Sequence, residues 1–306
     1  MKLSLVIPAF NEADRLAKGF ERLAPYWPDD DDHEVIMVDD GSSDDTLRSA
    51  HRVYGHLHHF SLVRYETNVG KGGAVRVGLA QARGRHVIVA DADMAIHPQH
   101  FGAIDHALDS VALAPGVRVS TGSPRYSNLM RTGGGALYHQ LVRRTTGVTL
   151  RDTQCGCKGY RLGEGRLLAL LGFVERFSVD AEMFYLAQQL GLTMEPVPVT
   201  WTDVPGSSVH VLSGALTTWR ELRSIPRTRY QNPAVRLDPT VATTDVTGAV
   251  REARVNGAVL TRGTHDALLV VHRHDALGAV SAARALAGEV TTCTPDDLRG
   301  REVVAL

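Results

Sequence analysis

The stretch VIVADADMAIHP, residues 87–98, leads from an apolar run into two carboxylates that one residue separates. Consecutive Val, Ile and Ala residues are typical of a strand that is buried on both faces, as the strands of a parallel sheet are. Asp91 and Asp93 stand where this strand ends, and carboxylates so close together repel each other unless positive charge offsets them. The stretch therefore predicts a buried strand that carries a charged site at its carboxyl end.

The N-terminal two thirds of the chain alternates between strand-like and helix-like segments. Apolar runs rich in Val and Ile recur at residues 3–7, 34–38, 86–90 and 117–121. Helical spacing and capping residues predict helices after Asn11, from Ser42 or Ser43, over residues 72–83, and after Asp180 as far as Gly191. This alternation predicts an α/β fold in which helices flank a mainly parallel sheet.

A change of composition indicates a second unit near the carboxyl end. Around residues 226–248 the sequence becomes rich in Pro, Thr and Arg and loses its periodicity, which indicates a boundary. Beyond it, the pattern of residues 267–288 predicts a strand followed by a helix. We therefore expect a main domain at residues 1–230 and a small appended α/β unit, of unknown role, at residues 231–306.

Charge, cysteine content and hydropathy limit the classes of protein. The formal net charge of −1 lacks the basic excess of a general nucleic-acid binder. Three cysteines, Cys155, Cys157 and Cys293, are too few for a disulfide framework and suit a reducing compartment. No apolar span approaches the ~18 residues of a membrane helix. We expect a cytoplasmic protein with at most peripheral contact at the inner face of the membrane.

Three of the predicted strands end in polar residues. They lead into Pro8-Ala9-Phe10-Asn11-Glu12, Asp39-Asp40 and Asp91-Ala92-Asp93. One such acidic pair alone is most simply a helix cap or a turn. In an open parallel sheet, however, the carboxyl ends of the strands meet at one edge, where ligands bind. Carboxylates crowded there favour Mg²⁺ or Mn²⁺ over zinc, and such a cation would bridge to a diphosphate.

The segment NVGKGGAVRVG, residues 68–78, places three glycines and Lys71 at a predicted helix start. Glycine permits close backbone approach, a helix N-terminus favours an anion, and Lys71 adds a positive charge. The segment lacks the Ser or Thr that follows the lysine of a P-loop. The alternative interpretation is a flexible helix start with an exposed lysine.

Seven ordered segments together resemble a known family. They are LVIPAFNEADRL, VIMVDDGSSDDT, NVGKGGAVRVG, VADADM, RDTQCGCKGYR, RFSVDAEMFYLAQQLG and VPVTWTDVPGSS. In order and spacing they are similar to the motifs of GT-A glycosyltransferases of family 2, and within it to the dolichyl-phosphate glucose and mannose synthase branch. The resemblance covers residues 1–225. It implies a GT-A (Rossmann-like) fold and an inverting, metal-dependent transfer of a hexose from a UDP- or GDP-sugar to a polyprenyl phosphate.

The resemblance also implies roles for individual residues. It assigns nucleotide-sugar binding to Pro8, Ala9, Asn11, Glu12, Asp39, Asp40, Lys71 and Asp91. Asp93, together with Asp91, would hold the metal that bridges the diphosphate. Asp152, Asp180 and Glu182 would be the catalytic acids, facing the transferring sugar and the acceptor, and Gln154 would contact the acceptor.

Departures from the family pattern fall on the acceptor side. Pro124 precedes Arg125 where relatives have an Arg directly after Gly-Ser, Ser208 replaces a lysine, and Cys157 replaces an aromatic residue. Arg125, Arg131 and Arg143 could still clamp an acceptor phosphate, or they could belong to an ordinary charged helix face. A small soluble acceptor with a hydroxyl or thiol therefore stays open, with Asp180 as its general base and Glu182 in reserve.

Two other features have simpler interpretations. Cys155 and Cys157 lack further ligands at zinc spacing and are expected to be buried as small hydrophobic residues. The HLHH cluster of His56, His58 and His59 has no carboxylate partner in the nearby sequence and is expected at the surface. A binding protein without turnover is disfavoured because the acids at residues 91, 93, 180 and 182 are intact.

Overall fold

Within the described part of the chain, the larger of two sheets has seven strands. The computed structural model describes residues 1–119, 134–202, 215–228, 230–253, 258–272, 276–304 and 306. The strands are β1 Leu3–Ala9, β2 His33–Asp39, β3 Phe60–Arg64, β4 His86–Ala90, β5 Leu113–Arg118, β6 Cys157–Arg161 and β7 Val197–Val199. Their order is β3-β2-β1-β4-β6-β5-β7, and β6 runs antiparallel to both of its neighbours whereas the other pairs are parallel.

Helices cover both faces of this sheet. They are α1 Ala13–Leu23, α2 Thr46–Tyr54, α3 Lys71–Gln81, α4 Phe101–Ala107, α5 Gly134–Thr146, α6 Leu162–Leu171, α7 Val179–Leu190 and α8 Ala215–Ser224. Alternate strand residues point to opposite faces, so Val6 packs with α3 and α6 while Leu5 and Ile7 pack with α1, α2 and α4. The predicted α/β architecture is confirmed.

The starts of one strand and one helix differ from the sequence predictions. The strand predicted at residues 117–121 begins earlier, as β5, because Pro115 and Gly116 obscure its strand pattern. The helix predicted from Ser42 or Ser43 begins at Thr46. The strands predicted at residues 3–7, 34–38 and 86–90 are confirmed.

A second, five-stranded antiparallel sheet forms the carboxyl end. Its strands are β8 Asn232–Leu237, β9 Ala258–Arg262, β10 Ala267–Val271, β11 Glu289–Cys293 and β12 Glu302–Val304, in the order β11-β8-β10-β9-β12. Its helices are α9 Thr243–Glu252, α10 Ala276–Leu286 and α11 Pro295–Leu298. The strand and helix predicted within residues 267–288 are confirmed by β10 and α10. The aperiodic stretch 226–248 contains β8, which its composition did not predict.

This second sheet is docked on the first unit. Leu268 and Val270 of β10 share one apolar cluster with α6 and α7, while Leu269 faces α9 and α10. Polar contacts add to the packing: Asn232 Nδ2 donates to Leu170 O at 3.4 Å. Among the helices that the structure describes, none has the length and apolarity that crossing a bilayer requires.

Candidate active site

The loops that follow β1 and β2 are joined by hydrogen bonds at the carboxyl edge of the large sheet. Asn11 N donates to Ser42 Oγ at 2.9 Å, and Ser43 N donates to Asn11 Oδ1 at 2.9 Å. Glu12 N donates to Thr46 Oγ1 at 2.8 Å. Asn11 lies in the left-handed region with φ 54°, a conformation that asparagine tolerates better than most residues. Pro8 and Ala9 are the last residues of β1. The predicted convergence of these strand ends is therefore present.

Asp39 and Asp40 use their carboxylates to hold loop backbone. Asp39 Oδ1 accepts from Ser42 N at 3.0 Å, and Arg64 Nε lies 3.4 Å from Asp39 Oδ2. Asp40 accepts from Val69 N and Gly70 N, each at 2.8 Å, and from Asn68 Nδ2 at 2.9 Å. Asp40 thus ties the glycine-rich segment to the end of β2.

The glycines of this segment are explained by chain packing. A Cβ at Gly70 or Gly72 would clash with the carbonyl oxygens of Glu175 or Val174. The amides of Gly72 and Gly73, expected to face an anion, instead donate to Glu175 O at 2.6 and 3.2 Å. The interpretation of this helix start as an anion site is therefore corrected. Lys71 is the group in the segment that points toward the acids.

Gly70→Ala is expected to destabilise the protein. Gly70 has φ 114°, which costs an L-residue about 1–3 kcal/mol, and the clash with Glu175 O adds to that cost. Gly102→Ala is the matched control, because a Cβ at Gly102 meets nothing within 4 Å and Ala is the better helix former. Chemical denaturation of both variants checks this. Equal stability of Gly70→Ala and the wild type would contradict it.

Three ion pairs lie around the acids at the end of β4. Lys71 Nζ lies 2.7 Å from Asp91 Oδ1, and Lys158 Nζ lies 3.0 Å from Asp180 Oδ2. The guanidinium of Arg118 donates to both oxygens of Asp152, at 2.7 and 2.8 Å. Lys158 on β6 and Arg118 on β5 were not predicted from the sequence. A lysine inside the otherwise buried β6 was the available signal, because lysine is rarely buried without a partner.

The acids differ in how their charge is compensated. Burial would raise the pKa of Asp91, but Lys71, Lys158 and Arg118 hold that pKa below its usual value. Burial and the negative charge of Asp91 raise the pKa of Asp93. The pKa of Glu12 is raised to about 7, mainly by burial. Arg15 lowers this pKa, whereas Asp93 and Asp91 raise it further. Asp91 therefore has a cationic partner, Lys71, whereas Asp93 lies beside a like charge that a bound cation would offset.

These residues fit a divalent cation. All the candidate ligand atoms are carboxylate oxygens, the donors that Mg²⁺ and Mn²⁺ prefer. Gly156 makes room for the site, since a Cβ there would clash with Asp91 Oδ2. Asp93 Oδ1 accepts from Ala95 N at 3.0 Å, which fixes the orientation of that carboxylate.

The structure describes some of the residues predicted on the acceptor side. Gln154 Nε2 donates to Tyr138 OH at 3.0 Å, and Arg143 is exposed on α5. Arg125 and Arg131, like Pro124 and Ser208, lie outside the described residues. Asp180 is buried at the start of α7.

Glu182 has a different environment from Asp180. Its carboxylate accepts from Phe173 N at 3.0 Å, from Val174 N at 2.9 Å and from Tyr230 OH at 3.2 Å. Glu182 thus joins the turn after α6 to Tyr230, the residue that precedes the C-terminal unit. These contacts give Glu182 a structural role in the fold, whereas Asp180 pairs with Lys158.

The pair of Arg118 and Asp152 predicts a pH dependence of stability. Burial would raise the pKa of Asp152, but the hydrogen bonds and charge of Arg118 hold it below 3.8. A carboxylate with a lowered folded pKa contributes stability above its unfolded pKa and loses it as the pH falls through the folded value. Asp152→Asn should therefore lower Tm near neutral pH, and the difference from wild type should shrink below about pH 4. A difference that stays constant in melts across this range would contradict the assignment.

This order of strands, with acids at their shared carboxyl edge, is the GT-A architecture that the sequence predicted. The fold agrees with that of Mycobacterium tuberculosis glucosyl-3-phosphoglycerate synthase in complex with Mn²⁺, UDP and glucosyl-3-phosphoglycerate, at 22% identity and a TM-score of 0.53. The likeness covers 74% of this chain and 81% of that one. The profile of Glycosyl transferase family 2 matches residues 4–163. The chain belongs to this family.

Curated relatives narrow the class of enzyme. Dolichyl-phosphate beta-glucosyltransferase of Mus musculus is 34% identical over 260 residues, which cover 78% of this chain and 79% of the relative. The protein of the same name from Drosophila melanogaster is 32% identical over 240 residues, covering 72% and 73%. The chain is a hexosyltransferase.

Proposed function

We propose that this enzyme moves a hexose, with inversion, from a UDP- or GDP-sugar to a polyprenyl phosphate, using Mg²⁺ or Mn²⁺ held by Asp93 and Asp91. The observation that carries the proposal is the position of Asp91 and Asp93 directly after β4, at the carboxyl edge of the sheet, with Asp91 paired to Lys71 at 2.7 Å. The pKa of Asp93 is raised by burial and by Asp91, and a bound cation would relieve that repulsion. The names of the curated relatives support a dolichyl-type acceptor and make glucose the first hexose to test.

The chemistry is a single displacement. An oxygen of the acceptor phosphate forms a bond to the anomeric carbon as the bond to the diphosphate breaks, and the nucleoside diphosphate leaves with the electron pair. A bound divalent cation would offset the charge growing on that leaving group. Lys71, Lys158 and Arg118 bring permanent positive charge to the same region, because all three act on the Asp91 carboxylate. A phosphate oxygen is already anionic, so the acceptor needs positioning more than a general base.

The surface of α5 and α8 supports an acceptor that stays in a membrane. The two helices contact each other and expose Leu137 and Trp219, which are 66% and 39% exposed. Arg143 is exposed on α5, and the guanidinium of Arg223 lies 4.6 Å from the centre of the Trp219 ring. Aromatic and basic side chains together are typical of helices that lie at a bilayer surface. Tyr138 of α5 accepts a hydrogen bond from Gln154, a residue assigned to the acceptor, so contact through these helices would place the membrane on the acceptor side.

Product analysis tests the proposal. Labelled UDP-glucose and GDP-mannose are each incubated with a short-chain polyprenyl phosphate, the unphosphorylated polyprenol or 3-phosphoglycerate, with Mg²⁺ or with a chelator. We expect label in the polyprenyl phosphate alone, and only when metal is present. Transfer to 3-phosphoglycerate but not to the lipid would replace the acceptor with a small soluble one. Undiminished transfer after exhaustive chelation would remove the metal from the proposal.

The donor site is expected to work without the C-terminal unit. A chain that ends at Tyr230 keeps every residue assigned to the nucleotide sugar, so its affinity for UDP or GDP should match that of the full chain. It should also melt at a lower temperature, because the truncation exposes apolar surface of α6 and α7. Calorimetric titration of the folded truncation checks the affinity. A large loss would show that residues 231–306 complete the donor site.

A further inference from the structure

Two polar segments meet at the edge of the large sheet that lies opposite the active site. The acidic run at residues 29–32 precedes β2, and the histidine-rich turn at residues 56–59 precedes β3. β2 has seven residues at about 3.3 Å each, so its amino end is roughly 20 Å from the carboxyl edge. Whatever binds between these two segments is therefore separate from the donor site.

The backbone holds both segments in place. Lys2 N donates to Asp32 O at 2.8 Å, which fixes the acidic run against β1, and Val35 N donates to His59 O at 2.9 Å. The segments are also joined directly, because His58 N donates to Asp29 Oδ1 at 2.7 Å. The side chains of Asp31, His58 and His59 thus project from a fixed frame.

Their ligand atoms have the spacing of a metal site. Asp31 Oδ1 lies 3.1 Å from His58 Nε2 and 3.5 Å from His59 Nε2, and all three atoms lie within 4.8 Å of one another. Tetrahedral zinc with bonds of about 2.0–2.1 Å separates its ligands by about 3.3 Å. Among the residues that the structure describes, no other group of three His, Cys, Asp or Glu side chains is as close.

We propose that Asp31, His58 and His59 form a binding site for Zn²⁺ or a similar first-row divalent ion. Two imidazoles with one carboxylate favour Zn²⁺, Co²⁺ or Ni²⁺ over Mg²⁺, which prefers oxygen ligands alone. The side chain of Asp31 is 90% exposed and that of His58 is 61% exposed, so both adjust to an ion at little cost. The fourth position stays open to water.

The bound ion links the acidic run to the histidine-rich turn. It cross-links the connection before β2 to the connection before β3, and it binds the folded chain, in which these segments are together. Zinc should therefore raise the thermal stability of the protein in a concentration-dependent way.

Zinc titration of the full chain, purified without a polyhistidine tag and stripped with chelator, tests the site. Calorimetry is run in excess Mg²⁺ to occupy the acidic edge at Asp93, and Co²⁺ absorption reports imidazole coordination. The wild type should bind one equivalent of Zn²⁺. His58→Ala and His59→Ala should each weaken binding on the order of 10-fold or more. His106→Ala is the matched control, since His106 is exposed with its Nδ1 3.7 Å from Asp109 Oδ2.

Comparison of the histidine variants with the wild type decides whether the zinc site exists. Loss of zinc binding and of the zinc-dependent rise in Tm in both histidine variants, with His106→Ala unchanged, supports the site. Equal affinity in wild type, His58→Ala and His59→Ala overturns it, and so does the absence of zinc binding by the wild type. Circular dichroism confirms that each variant is folded. Neither result depends on which sugar or acceptor the enzyme uses.

Discussion

Replacing Asp93 by asparagine is expected to lower kcat/KM for hexose transfer by about 10²-fold or more. The substitution keeps the size of the side chain and its hydrogen bond from Ala95 N. It removes a carboxylate whose pKa is raised by burial and by Asp91. A cation held there would lose a charged ligand, and the leaving diphosphate would lose part of its stabilisation. Steady-state kinetics over a range of Mg²⁺ and Mn²⁺ concentrations measure the loss.

Asp14→Asn is the matched control for this variant. Asp14 is an exposed acid in the first turn of α1, and its replacement should leave the rate within about twofold. Thermal melts establish that both variants are folded. A full rate in folded Asp93→Asn at every metal concentration would place the metal elsewhere.

Asp180→Asn is expected to destabilise the protein by about 3–5 kcal/mol. Lys158 and Asp180 have side chains that are 5% and 7% exposed, so removing the carboxylate leaves a buried ammonium group. Lys158 Nζ keeps one acceptor, Cys155 O. Adding Lys158→Met to Asp180→Asn removes the ammonium group that has lost its ion-pair partner. It should restore part of the lost stability, and only part, because Asp91 loses one of its cations as well. Urea denaturation of the wild type, the single variants and the double variant gives the coupling free energy.

An exposed ion pair provides the comparison. Arg85 and Asp109 are 63% and 47% exposed at 2.6 Å, and Asp109→Asn should cost less than about 1 kcal/mol because solvent screens that pair. If Asp180→Asn cost no more than Asp109→Asn, the carboxylate of Asp180 would not be what compensates Lys158.

The convergence of the acids could be predicted because it follows from strand order. Parallel strands bring their carboxyl ends to one edge, so the polar residues after β1, β2 and β4 had to meet there. The cations could not be predicted in the same way. Arg118 reaches the site from β5, and Pro115 and Gly116 obscure the strand pattern of β5. Lys158 reaches it from β6, and no local signal in the sequence shows that β6 is antiparallel.

Other contacts join residues that are far apart in the sequence. The donors to Glu182 include Tyr230, 48 residues away, so an acid that the family resemblance places in catalysis is held by groups outside its own segment. His58 and His59 have no carboxylate in their local sequence. In the fold they lie next to Asp31, because the connection before β2 is adjacent to the connection before β3. Hydropathy patterns identify faces and periods, but they do not identify which loops become neighbours.

The carboxylate of Glu182 couples the local unfolding of the turn at residues 173 and 174 to the movement of Tyr230. It accepts from the amides of Phe173 and Val174 and from the hydroxyl of Tyr230, so separating Tyr230 from it weakens the turn that those amides form. Slow amide exchange at residues 173 and 174 would therefore report the docking of the C-terminal sheet. The same turn presents Glu175 O to the amides of Gly72 and Gly73. In an exchange experiment the start of α3 and residues 173–175 should accordingly open together.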